Sequence, residues 1–170
     1  DATPPMPLAR ASSGANAGRV LDGDPGTVWR AGAKDRAAWI QLDFKEPREY
    51  GGLVVDWDKD AGPSDYVVEG SMDGKSWATL REVKGGNGGR DYLYLPESES
   101  RFVRLQAIRA GKPIAVREIA VKPLEWSATK EAFFKAIALE APRGAYPRGI
   151  RGEPSVWTVV GPASSPTEAL

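Results

Sequence analysis

Hydrophobic and polar residues alternate along most of the first 120 positions. In Trp39-Ile-Gln-Leu-Asp-Phe44, Ile40, Leu42 and Phe44 share one face, the period-two pattern of a half-buried strand. Leu53–Trp57 alternates in the same way, and Tyr66–Ser71 follows. Asp73-Gly74 predicts a hairpin turn, since both residues tolerate positive φ. Trp77–Leu80 then reads as the returning strand, and Gly85–Gly89 as a loop. Tyr92–Leu95, Phe102–Gln106 and Glu118–Val121 complete the series. Short strands at near-regular spacing, separated by Gly, Pro and Asp, predict an all-β antiparallel sandwich or barrel.

The pattern changes at Pro123. Ser127 is placed to cap a helix running through Ala128–Glu140, with Phe133, Phe134, Ile137 and Leu139 as its apolar face and Pro142 ending it. Arg143, Arg148 and Arg151 follow in a Gly- and Pro-rich segment with Tyr146, and Trp157–Val160 reads as one more strand. Residues 1–122 form a complete β domain on this reading. Residues 123–170 form a helix and a linker leading to a downstream domain of the same polypeptide.

Composition removes several chemistries. The 170 residues contain no Cys and no His, which excludes thiol catalysis, disulfides, His-based triads and His- or Cys-ligated metals. The 23 basic and 23 acidic residues balance, and no basic block points to nucleic acid. No apolar run is long enough to span a membrane. The start on Asp1 with Pro4, Pro5 and Pro7 is compatible with a mature terminus after signal removal or with an arbitrary boundary.

One loop stands apart. Val20-Leu-Asp-Gly-Asp-Pro-Gly-Thr-Val-Trp29 is too polar for a core strand and too rigid for a linker. Its carboxylates, hydroxyl and turn residues suit a hard cation, which takes oxygen ligands. The alternative is a metal-free turn in which Asp22 caps its own backbone amides.

The ordered series of motifs resembles the coagulation-factor type C, or discoidin, family, which includes family-32-like carbohydrate-binding modules. The residues that carry it are Leu21–Trp29, Trp39–Phe44, Gly52–Trp57, Asp65–Trp77, Gly86–Asp91, Arg101–Leu105 and Arg117–Val121, spanning about residues 10–122. The resemblance implies a jelly-roll-like sandwich of galactose-binding-like architecture. It also implies a structural calcium. Asp22 and Thr27 would give side-chain oxygens, Arg19, Asp24 and Arg117 carbonyls, and Glu118 a carboxylate from the last strand.

Modules of this kind bind sugars with loops at one end of the sandwich. The corresponding loops are 30–38, 58–64, 84–91 and 109–115. They point to Arg30, Lys59, Asp60, Asn87 and Arg90 as hydroxyl-binding groups, among neighbours Lys34, Asp35 and Arg36. Trp29, Trp39 and Trp77 occupy scaffold positions. For Trp57, at the end of its strand, stacking on a sugar and packing inward are both open. No His is present, so galactose-type specificity does not carry over.

The Asp56/Asp58/Asp60 cluster invites an acid–base reading, because Asp56 and Asp58 fall on one strand face about 7 Å apart. No deep cleft is evident around them, and a solvated acidic loop is the expected outcome. Glu97 and Glu99 read as a polar turn, and Arg101 and Arg104 as strand residues in surface ion pairs.

Three functions fit. The first is a noncatalytic glycan-binding module at the N-terminal part of a larger secreted or periplasmic bacterial glycan-active protein. The second is a ligand-free domain supporting a catalytic neighbour. The third is an adhesion or lipid-headgroup module, which the charged, Gly-rich loops disfavour.

Overall fold

The computed structural model describes residues 3–86, 88–140 and 157–160, with backbone alone for Pro96, Glu97 and residues 157–160. In chain order the strands are β1 (Leu8–Ala11), β2 (Trp29–Arg30), β3 (Trp39–Trp57), β4 (Asp65–Ser71), β5 (Ala78–Lys84), β6 (Arg90–Arg109), β7 (Ala115–Lys122) and β8 (Trp157–Val160). A 3₁₀ turn at Ala17–Leu21 precedes β2. A second, at Leu124–Ser127, leads into α1 (Lys130–Glu140).

Two long strands organise the molecule. The first part of β3 pairs with β1 and with the second part of β6, from Trp39↔Gln106 to Asp43↔Phe102. The second part of β3 pairs with β7 and with the first part of β6, from Gly52↔Tyr94 to Asp56↔Arg90. One layer is therefore β1–β3–β6–β4–β5, and the other β2–β7–β3–β6–β8. Both long strands cross from layer to layer, and the register shifts between Asp43 and Arg48 and between Tyr50 and Gly52 mark the bend. Lys45 takes φ 70° at this bend, and the Asp43 carboxylate accepts its N–H at 2.7 Å. The result is an all-β sandwich, one of the two forms the alternation left open, with the jelly-roll-like form that the resemblance implied.

The two inner faces bury Ile40, Leu42, Phe44, Leu53, Val55, Tyr66, Val68, Leu93, Val103 and Leu105. Tyr50 is fully buried among them, its hydroxyl 2.6 Å from Ser100 Oγ. These residues are the alternate positions of each strand, which is why the sequence pattern locates them.

A second cluster lies on the outer face of the β7–β3–β6 layer. Val54 and Tyr92, in register across β3 and β6, meet Trp126, Phe133 and Ile137. Phe133 packs edge-on against Trp126 at 5.1 Å and against Tyr94 at 5.6 Å between ring centroids. Residues 51–55 are consequently buried on both faces, so alternation stops reporting exposure there. The segment after Pro123 packs on the sandwich.

Several elements differ from the sequence reading. Tyr92–Leu95 and Phe102–Gln106 are parts of the single strand β6, because its bend keeps pairing with β3. The return strand β5 starts after Trp77 and runs on to Lys84. Ser127 is not the helix cap: its buried hydroxyl donates to the Gly51 carbonyl at 2.7 Å, whereas Thr129 Oγ1 accepts the Ala132 N–H at 3.0 Å. Of the helix face, Phe133 and Ile137 are buried and Leu139 is exposed. Trp157–Val160 does form a strand, parallel to β6 at Arg90–Leu93. Arg143, Tyr146, Arg148 and Arg151 lie outside the described residues.

The second layer approaches the helix segment through glycine. A Cβ at Gly52 would stand 2.4 Å from the Trp126 ring and 2.5 Å from the Leu93 carbonyl. Gly52→Ala is therefore expected to lift Trp126 off the sheet and to cost about 1–3 kcal/mol. Urea unfolding of the two proteins measures it, and an unchanged midpoint would contradict this packing.

Candidate functional site

The loops that join the layers gather at one end. β3 starts and finishes there, and the loops 30–38, 58–64, 84–90 and 109–115 surround it. Their contacts are mostly backbone: Ala31 N–H to the Ile114 carbonyl, Asp58 N–H to Ala115, Trp57 N–H to Gly89, and Gly86 N–H to Ser64. A Cβ at Gly62 would stand 2.6 Å from Gly88 Cα, so these two loops meet without side chains between them. The platform is tightly held and its functional groups project from it.

Asp58 is the hub. Its Oδ2 accepts from Arg30 Nη2 at 2.5 Å and its Oδ1 from Arg117 Nη2 at 2.6 Å. Arg117 Nη1 also donates to the Pro25 carbonyl at 2.7 Å, tying the Val20–Trp29 loop to this junction. Burial works against the Asp58 carboxylate, but Arg117, the Lys59 amide and Arg30 together hold its pKa below the ordinary range. Arg90 pairs with Asp56 through two bonds of 2.5 and 3.0 Å. Asp56 and Asp58 are thus each ion-paired to arginine.

Trp57 points inward. It is 5% exposed, its ring lies 5.3 Å from Tyr66, and its Nε1 donates to Asp91 Oδ2 at 2.8 Å. Tyr66 Oη donates to the same oxygen at 2.5 Å. Burial first, then the Asp91 charge, pushes the Tyr66 hydroxyl well above its usual pKa. Asp91 escaped the sequence reading because a carboxylate at a strand start gives no signal of burial. Its alternation with the buried Leu93 was the available clue.

Of the other sugar-site candidates, Arg30, Lys59 and Asp60 are exposed, with Asp60 at φ 57°. Arg90 is half-buried in its ion pair, and Asn87 lies outside the described residues. Asp35 is occupied, accepting from Ser12 and Ser13 hydroxyls at 2.5 Å each. The four loops contain no aromatic residue. Trp29 is buried in the core, while Trp39 and Trp77 are half-buried on the outer face of the β3–β6–β4–β5 layer. There Arg104 pairs with Glu69 at 2.7 Å and lies 3.9 Å from the Trp77 ring centre.

The polar loop gathers Asp22, Thr27 and the Asp24 carbonyl, and Asp22 Oδ1 also accepts the Asp24 N–H at 2.9 Å. Thr27 Oγ1 lies 3.0 and 2.8 Å from the Asp22 oxygens and 3.2 Å from the Asp24 carbonyl. Glu118, from β7, reaches the loop and accepts the Gly23 N–H at 3.2 Å. Its carboxyl is pushed above the ordinary range by burial, opposed by the Gly23 amide and reinforced by the Asp22 and Asp56 charges. Oxygens about 3 Å apart suit ligands of one Ca²⁺ with bonds of about 2.3–2.6 Å, and a cation would relieve the Glu118–Asp22 repulsion. Among the described residues no three His, Cys, Asp or Glu side chains gather around a metal position. The donor set in question holds only two carboxylates, completed by a hydroxyl and carbonyls. The residues therefore fit a hard cation chemically. Arg19 adds a side-chain bond to the Val28 carbonyl at 3.2 Å.

The chain belongs to the F5/8 type C domain family, whose model matches residues 9–132. It is 28% identical over 108 residues to the discoidin, CUB and LCCL domain-containing protein 2 of Rattus norvegicus, covering 55% of this chain and 14% of that protein. It is 25% identical over 103 residues to the human EGF-like repeat and discoidin I-like domain-containing protein 3, covering 58% and 20%. The chain thus spans a fifth or less of these relatives.

Solved structures share the fold. Chitosan-binding module 1, from a chitosanase/glucanase of Paenibacillus sp. IK-5, aligns with TM-score 0.63 at 24% identity, covering 68% of this chain and 94% of the module. CpGH89CBM32-5 from Clostridium perfringens, in complex with GalNAc-β-1,3-galactose, aligns with TM-score 0.64 at 19% identity, covering 69% and 95%. A Ruminococcus gnavus GH29 fucosidase aligns with TM-score 0.59 at 17% identity, covering 69% of this chain and 25% of the enzyme.

The Asp58 hub yields a test. Because its folded pKa is depressed, its contribution is present above the unfolded value of about 3.9 and is lost as pH falls through the folded one. Asp58→Ala is expected to cost about 1–2 kcal/mol at pH 7, as both arginines lose their acceptor, and less at pH 3. Urea unfolding at the two pH values measures this, and an equal loss at both would contradict the charge-based role.

Proposed function

We propose that this chain is a noncatalytic carbohydrate-binding module with a structural calcium, forming part of a larger secreted bacterial glycan-active protein. The observation that carries this reading is its overlap with 94–95% of two separately folded modules, one chitosan-binding and one solved with a disaccharide. The matched fold makes up about a quarter of the fucosidase chain, which supports a modular place within a longer polypeptide. No helix among the described residues is long and apolar enough to cross a membrane.

Glycan contact falls to Arg30, Lys59, Asp60 and Arg90, with Asn87 from the adjoining loop. Charged and amide groups of this kind bond sugar hydroxyls in two directions, and ion pairs fix the Arg30 and Arg90 rotamers beforehand. Trp57 supports the loops from below as a packed side chain. The ion-paired Asp56 and Asp58 favour binding over hydrolysis.

Calcium would be held by the Asp22 carboxylate, Thr27 hydroxyl, Glu118 carboxylate and the carbonyls of Arg19, Asp24 and Arg117. Its part is to pin the N-terminal loop to β7. A ligand-free supporting domain is the second reading. It is favoured by one observation, that Arg30 and Arg90 already spend their charge on Asp58 and Asp56. The lipid-surface reading receives no support, because the exposed large apolar residues Met6, Leu8, Met72, Ile108 and Leu139 all lie outside the tips of the four loops.

Two experiments separate these readings. EDTA is expected to lower the melting temperature of the chain, and Asp22→Ala to abolish that response; a chain indifferent to EDTA and to added Ca²⁺ would remove the cation. A glycan array is expected to show binding that Arg30→Ala/Lys59→Ala weakens about tenfold, the effect of losing one or two charged hydrogen bonds. Failure to bind any plant, fungal or bacterial glycan would leave the supporting-domain reading.

A further inference from the structure

The end of the sandwich opposite the loops carries a second concavity. β4 starts at Asp65 beside Arg109, at the loop end, and finishes at Ser71 beside Phe102. The hairpin that follows therefore sits at the far end, next to the bend of β6. Between them lies a groove of about 420 Å³, within the roughly 300–1,000 Å³ range of small-ligand sites. Trp77 and Leu80 line it together with Ser71, Asp73, Ser76 and Glu99.

Trp77 is half-buried, with the Arg104 guanidinium 3.9 Å from its ring centre and the Phe102 ring edge-on at 6.5 Å. Trp77 lines the groove and Arg104 does not. An indole face beside hydroxyl and carboxylate acceptors is the pairing that sugar recognition uses, ring to the C–H patch and oxygens to the hydroxyls.

Charge narrows the occupant. The lining residues include two carboxylates and neither Lys nor Arg. Asp73 stays ionised, because the Ser76 and Lys75 amides hold its carboxyl down to about 2. Glu99 stands directly across the strand pair from Glu49. An ammonium in the groove would meet two carboxylates and no basic side chain of the lining. A uronate would be repelled by the same carboxylates.

We propose that this groove is a second sugar subsite, distinct from the loop end, that takes a protonated amino hexopyranose stacked on Trp77 with its ammonium toward Asp73 and Glu99. The proposal rests on the reading of the chain as a carbohydrate-binding module.

The test is an amide NMR titration of the ¹⁵N-labelled chain at pH 6 with three probes: a β-linked glucosamine trimer, a glucose trimer of the same linkage and a galacturonate trimer. The glucosamine trimer is expected to shift amides of residues 70–80 and 98–101, with at least about tenfold tighter binding than the glucose trimer. The galacturonate trimer is expected to leave them unmoved. Trp77→Ala should abolish these shifts and Trp77→Phe should restore part of them. Ala78→Arg, a change at an exposed position that obstructs the groove and opposes the ammonium, should abolish them without disturbing the fold. Shifts confined to residues 30–38, 58–64 and 109–115 would overturn the groove and leave the loop-end reading intact. Groove shifts that survive both Trp77→Ala and Ala78→Arg would also overturn it. Silence to all three probes overturns the groove, while the glycan array decides the loop end separately.

Discussion

The pairing of β3 with β6 is the constraint on which everything else hangs. Each strand is long enough to serve both layers, so the two layers are not separate sheets pressed together but one ladder folded over. The bend near Asp43–Gly52 sets where each layer begins. It thereby decides that both ends of β3 reach the same rim, and with them the loops 30–38 and 58–64. A loop-end site exists because a single strand goes out in one layer and returns in the other.

This arrangement explains what could be read from the chain directly. Ile40, Leu42 and Phe44 alternate because one face meets the opposite layer and the other meets water, and that contrast is written in residue type. The polar loop was legible for the same reason, since Asp22, Gly23, Asp24 and Thr27 have little use in a core. Its connection to Glu118, 95 residues away, came through the family resemblance, and the Gly23–Glu118 bond now shows the two segments in contact.

The rest was hidden by interactions that composition does not encode. Val54 and Tyr92 stand on the strand face away from Leu53 and Leu93, and a helix covers them. Gly51 and Gly52 are the flat ground on which Trp126 and Ser127 rest. At the loop end, the acidic run Asp56–Asp60 suggested solvated charge. It becomes a set of brackets once Arg30, Arg90 and Arg117 arrive from three other segments. Ion pairing across such distances leaves no periodic trace, so residue type alone could not say whether those carboxylates were free.

The helix on the outer face of one layer makes the two halves of the molecule unequal. Residues 51–55 lie between two apolar clusters, so freeing their amides requires the helix to leave and the sandwich to part together. The other layer, whose outer face no described helix covers, needs only a local breath to expose β5. Slow exchange of amide hydrogens should therefore concentrate around Gly51–Val55, while β5 exchanges early. The wall of the far groove that β5 provides is thus the more yielding one, set against a backing that scarcely moves.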